Sequence, residues 1–111
     1  MSKLAVIIST YNRWNILERA LNCLSEQTLS PSDFEVLVVD DGSTEPPPRS
    51  FGDWAKSFRF QCRFWRTRNQ GQGSARNFAL TQTDSPLIVF IGDDILVAPD
   101  IAAANILYKS W

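Results

Sequence analysis

Three apolar runs constrain the fold more than any other feature of these 111 residues. Leu4 to Ile8, Phe34 to Val39 and Leu87 to Ile91 are short, aliphatic or aromatic, and almost free of polar residues. A strand with one wet face alternates apolar and polar side chains. A run without alternation needs cover on both faces, as in a parallel sheet. Segments with helical spacing lie between the runs. From Trp14 to Gln27, the residues Ile16, Leu17, Ala20, Leu21 and Leu24 form one stripe, with Asn12 the expected N-cap. Phe51 to Phe58 reads as a short helix. Ser74 to Gln82 is another, with Ala75, Phe78 and Ala79 inward, and Pro99 opens a last one. Arg59 to Arg66 places Phe60, Cys62 and Phe64 on one face, which suits an edge strand. Pro46-Pro47-Pro48 excludes both helix and central strand from the stretch around it. The order β-α-β-(α)-β-α-β-α predicts an α/β fold, a Rossmann-like, mostly parallel sheet flanked by helices. Its length makes 1–111 a single domain.

Composition removes several chemistries. There is no histidine, so His-based triads, His general bases and His-ligated zinc are excluded. A metal here is held by oxygen ligands, which favours hard ions such as Mg²⁺ or Mn²⁺. Cys23 and Cys62 share no ligand spacing and read as reduced, buried thiols. The net charge of −1 gives no reason to expect nucleic acid or an anionic membrane as partner. Leu4 to Ile8 is too short for a membrane span or a signal core, and Met1-Ser2-Lys3 runs straight into it. That reads as a cytoplasmic chain, one that reaches the inner membrane face only through a partner. An exposed edge strand leaves room for a homo-oligomer that covers it.

The polar residues that end each run carry the functional signal. The second run ends in Asp40-Asp41-Gly42-Ser43, the last in Gly92-Asp93-Asp94, and the first in Ser9-Thr10-Tyr11. In a parallel sheet these ends converge on the edge where such folds bind ligands. Two unit charges about 4 Å apart repel by roughly 4 kcal/mol at an effective dielectric of about 20, so the carboxylates need a metal, an arginine or a donor-bearing ligand. Asp-Asp-Gly-Ser alone also makes a good turn. Asp93-Asp94 has no turn glycine after it, and such a pair can bind a divalent cation that holds a diphosphate. Gly71-Gln72-Gly73-Ser74-Ala75-Arg76 matches the dinucleotide fingerprint poorly, because Arg76 stands where the third glycine belongs. It is either a turn into a helix or a way of aiming Arg76 at the acidic cluster or a bound anion. Tyr11 reads as a base-stacking residue or a half-buried aromatic. The tryptophans read as packing residues, and Arg66 with Arg68 as a small basic patch.

Taken together, four segments resemble family 2 glycosyltransferases with the GT-A fold. Val6 to Arg13 (VIISTYNR) resembles their opening strand and turn, and Val38 to Ser43 (VVDDGS) their second strand motif. Asn69-Gln70-Gly71 with Gly73-Ser74-Ala75-Arg76-Asn77 is similar to their turn and helix. Ile91-Gly92-Asp93-Asp94 is similar to their acidic DXD element. The resemblance spans nearly the whole chain and implies a donor site for a nucleotide sugar, first a UDP-sugar. By position it implies that Ser9 and Tyr11 line the base pocket and that Asp41 accepts a hydrogen bond from the base. Arg76 would lie by the nucleotide, Asp93 by the ribose, and Asp94 on a divalent metal, Mn²⁺ or Mg²⁺. Gly92 departs from the members that have a third acidic residue there. The family's acceptor site and catalytic carboxylate lie downstream of the acidic motif. The resemblance therefore implies a donor-binding half that ends before them, with the base expected beyond Trp111 and an acceptor, glycan or lipid-linked, unidentified. Such a half binds donor without efficient transfer. A non-catalytic nucleotide-binding module of the same fold is the alternative. A phospho-acceptor receiver fits poorly, since its acidic pair follows the first strand.

Overall fold

The computed structural model describes residues 3–28 and 30–95. Four strands, β1 (Leu4–Thr10), β2 (Phe34–Asp40), β3 (Gln61–Arg66) and β4 (Leu87–Gly92), form one sheet in the order β3-β2-β1-β4. Every pairing is parallel. All seven residues of β1 and all seven of β2 are buried, which explains why neither run alternates.

Helices cover both faces. Leu4, Val6 and Ile8 of β1 join Phe34, Val36 and Val38 of β2 on one face. There they meet Trp14, Leu17, Leu21 and Leu24 of α1 (Trp14–Leu24) and Trp54 of α2 (Phe51–Lys56). On the other face, Ala5, Ile7, Leu37 and Val39 meet Ala75 and Ala79 of α3 (Gln72–Leu80). The chain steps outward from β1 to β3 under α1 and α2, then returns past β1 to β4 over α3. Crossovers of one hand require this change of face when the direction of travel reverses. The reversal lies between β1 and β4, and the crevice beyond the strand ends at such a point is the expected ligand site.

Several boundaries differ from the sequence reading. Helix α1 stops at Leu24, not Gln27, because the amides of Glu26 and Gln27 bond three residues back, to Cys23 and Leu24, in a tight turn. Helix α2 likewise ends at Lys56. Helix α3 begins at Gln72, two residues earlier than its apolar stripe indicates, straight after Gly71 at φ +101°. Asn12 is not an N-cap. Arg13 holds that position without a side-chain cap bond, and Asn12 adopts φ +52°. Among the described residues strand β4 borders the sheet, half-buried along its length, and Phe90 is 42% exposed. The helix expected from Pro99 lies outside the described residues. Both cysteines are free thiols, and burial pushes Cys62 up to about 12.

Near the amino end of β2, opposite the strand ends that form the crevice, Glu35 is buried inside an apolar run. It accepts hydrogen bonds from Arg63 (2.7 Å), Thr83 (2.7 Å) and Ser85 (2.9 Å). Arg63 also donates to the Gln82 carbonyl, so this cluster fastens the α3–β4 connection to the sheet.

Candidate functional site

Register decides which residues meet. Thr10 lies opposite Asp40, and Ser9 opposite both Val39 and Gly92. The next residues, Tyr11, Asp41 and Asp93, therefore leave the sheet from three adjacent strand ends. They converge on a crevice of about 270 Å³ lined by Ser9, Thr10, Tyr11, Arg13, Asp41, Gln72 and Asp93. Four of the residues expected from sequence are thus brought together: Ser9, Tyr11, Asp41 and Asp93. Asp94 and Arg76 are not part of the lining. Thr10, expected at the converging strand ends but given no task, lines it too, and Arg13 and Gln72 were not foreseen there.

The two residues of the first acidic pair have separate tasks. Asp40 is fully buried and accepts from the Ser43 amide (2.9 Å), the Ser43 hydroxyl and Arg66 Nε (2.9 Å). Its charge is offset inside the fold, and Arg66 is a structural partner instead of part of a solvated patch. Asp41 turns to the crevice. Its Oδ1 accepts from the Gln70 amide (2.9 Å) and its Oδ2 from the Gly71 amide (3.1 Å). A carboxylate offers about four acceptor positions, so Asp41 keeps capacity for a further donor.

The loops after β1 and β2 are clasped together. Asn12 Oδ1 accepts from the backbone amides of Thr44 (2.9 Å) and Glu45 (3.0 Å), while the Asn12 backbone N–H donates to Ser43 Oγ (2.8 Å). Trp14 Nε1 donates to the Glu45 carbonyl. This clasp holds Tyr11, 41% exposed, at the rim of the crevice.

At the end of β4, Thr10 Oγ1 donates to Asp93 Oδ2 at 2.9 Å. The guanidinium of Arg13 lies 3.3 Å from Asp93 Oδ1 and 3.7 Å from Asp94 Oδ2. Arg76 does not take this place. It lies over the Phe90 ring, 5.5 Å from the centroid, with its buried Nε lacking a hydrogen-bond partner. Among the described residues no ion pair joins Arg76 to the four aspartates. The proximity of Arg13 was available in sequence only as a cation two residues beyond Tyr11.

The described residues contain no cluster of three or more His, Cys, Asp or Glu side chains able to hold a metal. Asp93 and Asp94 form an oxygen-only pair. That suits a hard cation that takes its remaining ligands from phosphate and water, as Mg²⁺ usually does. Gly92 contributes to the pair by lacking a side chain. A β-carbon there would lie 2.9 Å from Asp94 Oδ1, so the Asp94 carboxylate rests in space that any larger residue would fill.

Known proteins resemble this chain in sequence and in fold. Validoxylamine A glucosyltransferase of Streptomyces hygroscopicus subsp. limoneus is 36% identical over 96 residues, covering 86% of this chain and 21% of that protein. The structure of Staphylococcus aureus TarS in complex with UDP matches 97% of this chain and 32% of its own, at TM-score 0.85 and 26% identity. The mannosyltransferase PcManGT of Pyrobaculum calidifontis, in complex with GDP-Man and Mn²⁺, matches 93% of this chain and 30% of its own, at TM-score 0.82 and 28% identity. The chain thus spans about a fifth to a third of the length of these relatives. The family model described as glycosyl transferase family 2 matches residues 5–107, and the chain belongs to that family.

Proposed function

We propose that the crevice is a donor site for a nucleoside-diphosphate sugar, with a UDP-sugar the first candidate, and that the chain serves inverting glycosyl transfer to a glycan or lipid-linked acceptor. One observation carries this reading. Tyr11, Asp41 and Asp93 leave three neighbouring strand ends and face one crevice at the β1/β4 reversal. Matching structures with UDP and with GDP-Man and Mn²⁺ support it.

In this reading each residue has a definite task. Ser9 and the rim residue Tyr11 receive the base, Tyr11 by stacking on it. Asp41, oriented by the Gln70 and Gly71 amides, accepts a base N–H with its free lone pairs. Asp93, oriented by Thr10, accepts from the ribose. Asp94 ligates the divalent metal, while Arg76, outside the crevice lining and over Phe90, acts only as a charge on α3. Held there, Mn²⁺ or Mg²⁺ would supply positive charge to offset the diphosphate and the leaving nucleoside diphosphate.

Calorimetric titration with UDP, with and without Mn²⁺, tests the reading. Metal-dependent binding that disappears in Asp94→Ala is expected. A folded protein that takes up no UDP in either condition would sink it.

A further inference from the structure

We infer that Arg13 is a built-in counter-ion: it stands on the Asp93–Asp94 pair where a divalent cation belongs, and yields that place by turning to the diphosphate of the donor. The inference rests on the donor-site reading and concerns a residue that this reading leaves without a task.

Three observations support it. First, the backbone of Arg13 is fixed while its guanidinium is not. The Asn12 clasp holds the preceding residue, and the Arg13 carbonyl accepts the first amide bond of α1, from Leu17 at 2.9 Å. The side chain beyond is 44% exposed. Second, its contacts are loose. Arg63–Glu35, Arg49–Glu18 and Arg66–Asp40 close at 2.7, 2.7 and 2.9 Å, all hydrogen-bonding distances. Arg13 stays at 3.3 and 3.7 Å, so its hold on the aspartates is electrostatic and readily exchanged. Third, Arg13 lines the same crevice as Tyr11, Asp41 and Asp93, so a displaced guanidinium remains within it. There a planar fork of N–H donors suits phosphate oxygens.

Charge arithmetic sets the direction of exchange. One guanidinium offsets half the charge of two carboxylates, and a divalent cation offsets all of it. The cation repels the guanidinium, and the diphosphate attracts it. Arg13 therefore weakens the binding of metal alone and strengthens the binding of metal with nucleotide. It is a positioning residue that couples the two.

Titration of Mn²⁺ alone, read by the electron paramagnetic resonance of the free ion, tests the first half on wild type, Arg13→Gln and Arg13→Lys. Arg13→Gln should bind Mn²⁺ roughly fivefold tighter, the factor expected for removing a half-exposed guanidinium that pairs with Asp93 and Asp94. The same variant should bind UDP more weakly at saturating Mn²⁺, with Arg13→Lys between it and wild type. In wild type, the Arg13 Nε–H resonance should shift on adding Mg²⁺, a reading that needs no variant to fold. Unchanged Mn²⁺ affinity in a folded Arg13→Gln, or an Arg13 resonance that Mg²⁺ leaves in place, overturns the inference. Tighter Mn²⁺ binding in Arg13→Gln, with no UDP binding by any form, would overturn the donor-site reading and leave the counter-ion role standing.

Discussion

Gly42 and Asn69 approach so closely that a β-carbon on Gly42 would lie 2.7 Å from the Asn69 amide nitrogen. It would also meet the Thr67 carbonyl at 3.1 Å, and Gly42 sits at φ +73°. Both contacts are backbone, so neither can swing aside. The segment that crosses Gly42 then supplies the Gln70 and Gly71 amides to Asp41. Gly42→Ala should cost about 1–3 kcal/mol in chemical denaturation, from overpacking and left-handed strain together. It should also weaken UDP binding through Asp41, although residue 42 does not line the crevice. Stability and affinity equal to wild type would show that the 67–71 segment is free to move.

Asn12 allows two costs to be separated. Its φ of +52° disfavours alanine, and its Oδ1 holds the Thr44 and Glu45 amides. Asn12→Gly loses only the side-chain bonds, about 1–2 kcal/mol at the ordinary worth of such contacts. Asn12→Ala adds about 1 kcal/mol of backbone strain. Urea midpoints should therefore fall in the order wild type, glycine, alanine. Alanine equal to glycine would mean that the loop after β1 relaxes out of the left-handed region.

Glu35 gives the fold an acid sensitivity remote from the crevice. Burial raises its pKa, but the Thr83 hydroxyl, Arg63 and the Ser85 hydroxyl together lower it further, to below the ordinary 4.5. A carboxyl whose folded pKa lies below its unfolded one stabilises the fold fully above the unfolded value. That contribution is lost as the pH falls through the folded value. Thermal melts should drop as the pH is lowered past about 4.5. Glu35→Gln should flatten this dependence and cost about 1–3 kcal/mol at neutral pH, because Arg63 is left without its carboxylate. A variant with the wild-type acid profile would shift the sensitivity to other carboxylates.

The strands could be read from sequence because double-sided burial leaves a plain mark. Every position of β1 and β2 is buried, and their polar residues gather at the ends. Once the order was parallel, the meeting of Tyr11, Asp41 and Asp93 followed from strand ends alone. The arginines were not legible in this way. A long side chain reaches several ångströms in any direction, so sequence position does not decide whether Arg13 or Arg76 meets the acidic pair. Asn12 was ambiguous for a different reason, since asparagine favours both helix caps and the left-handed region. The partners of Glu35 lie 28, 48 and 50 residues away, and only the closed sheet brings them together. An apolar run also does not reveal whether it will be central, like β1, or at the border of the described sheet, like β4.

Asp41 is where structure and donor binding compete for the same atoms. Asp41→Asn keeps the shape but replaces one acceptor oxygen with an amide donor. The side chain can then serve the Gln70 amide or the Gly71 amide, while its NH₂ group opposes the other. Loss of one backbone bond costs about 1 kcal/mol of stability. A base N–H meeting a donor in place of an acceptor weakens binding by more, because an unpaired polar group is left in the crevice. UDP affinity should therefore fall about tenfold or more, while the melting temperature drops by only a few degrees. The opposite pattern, a large drop in melting temperature with UDP affinity kept, would assign Asp41 to the turn and remove it from the donor site.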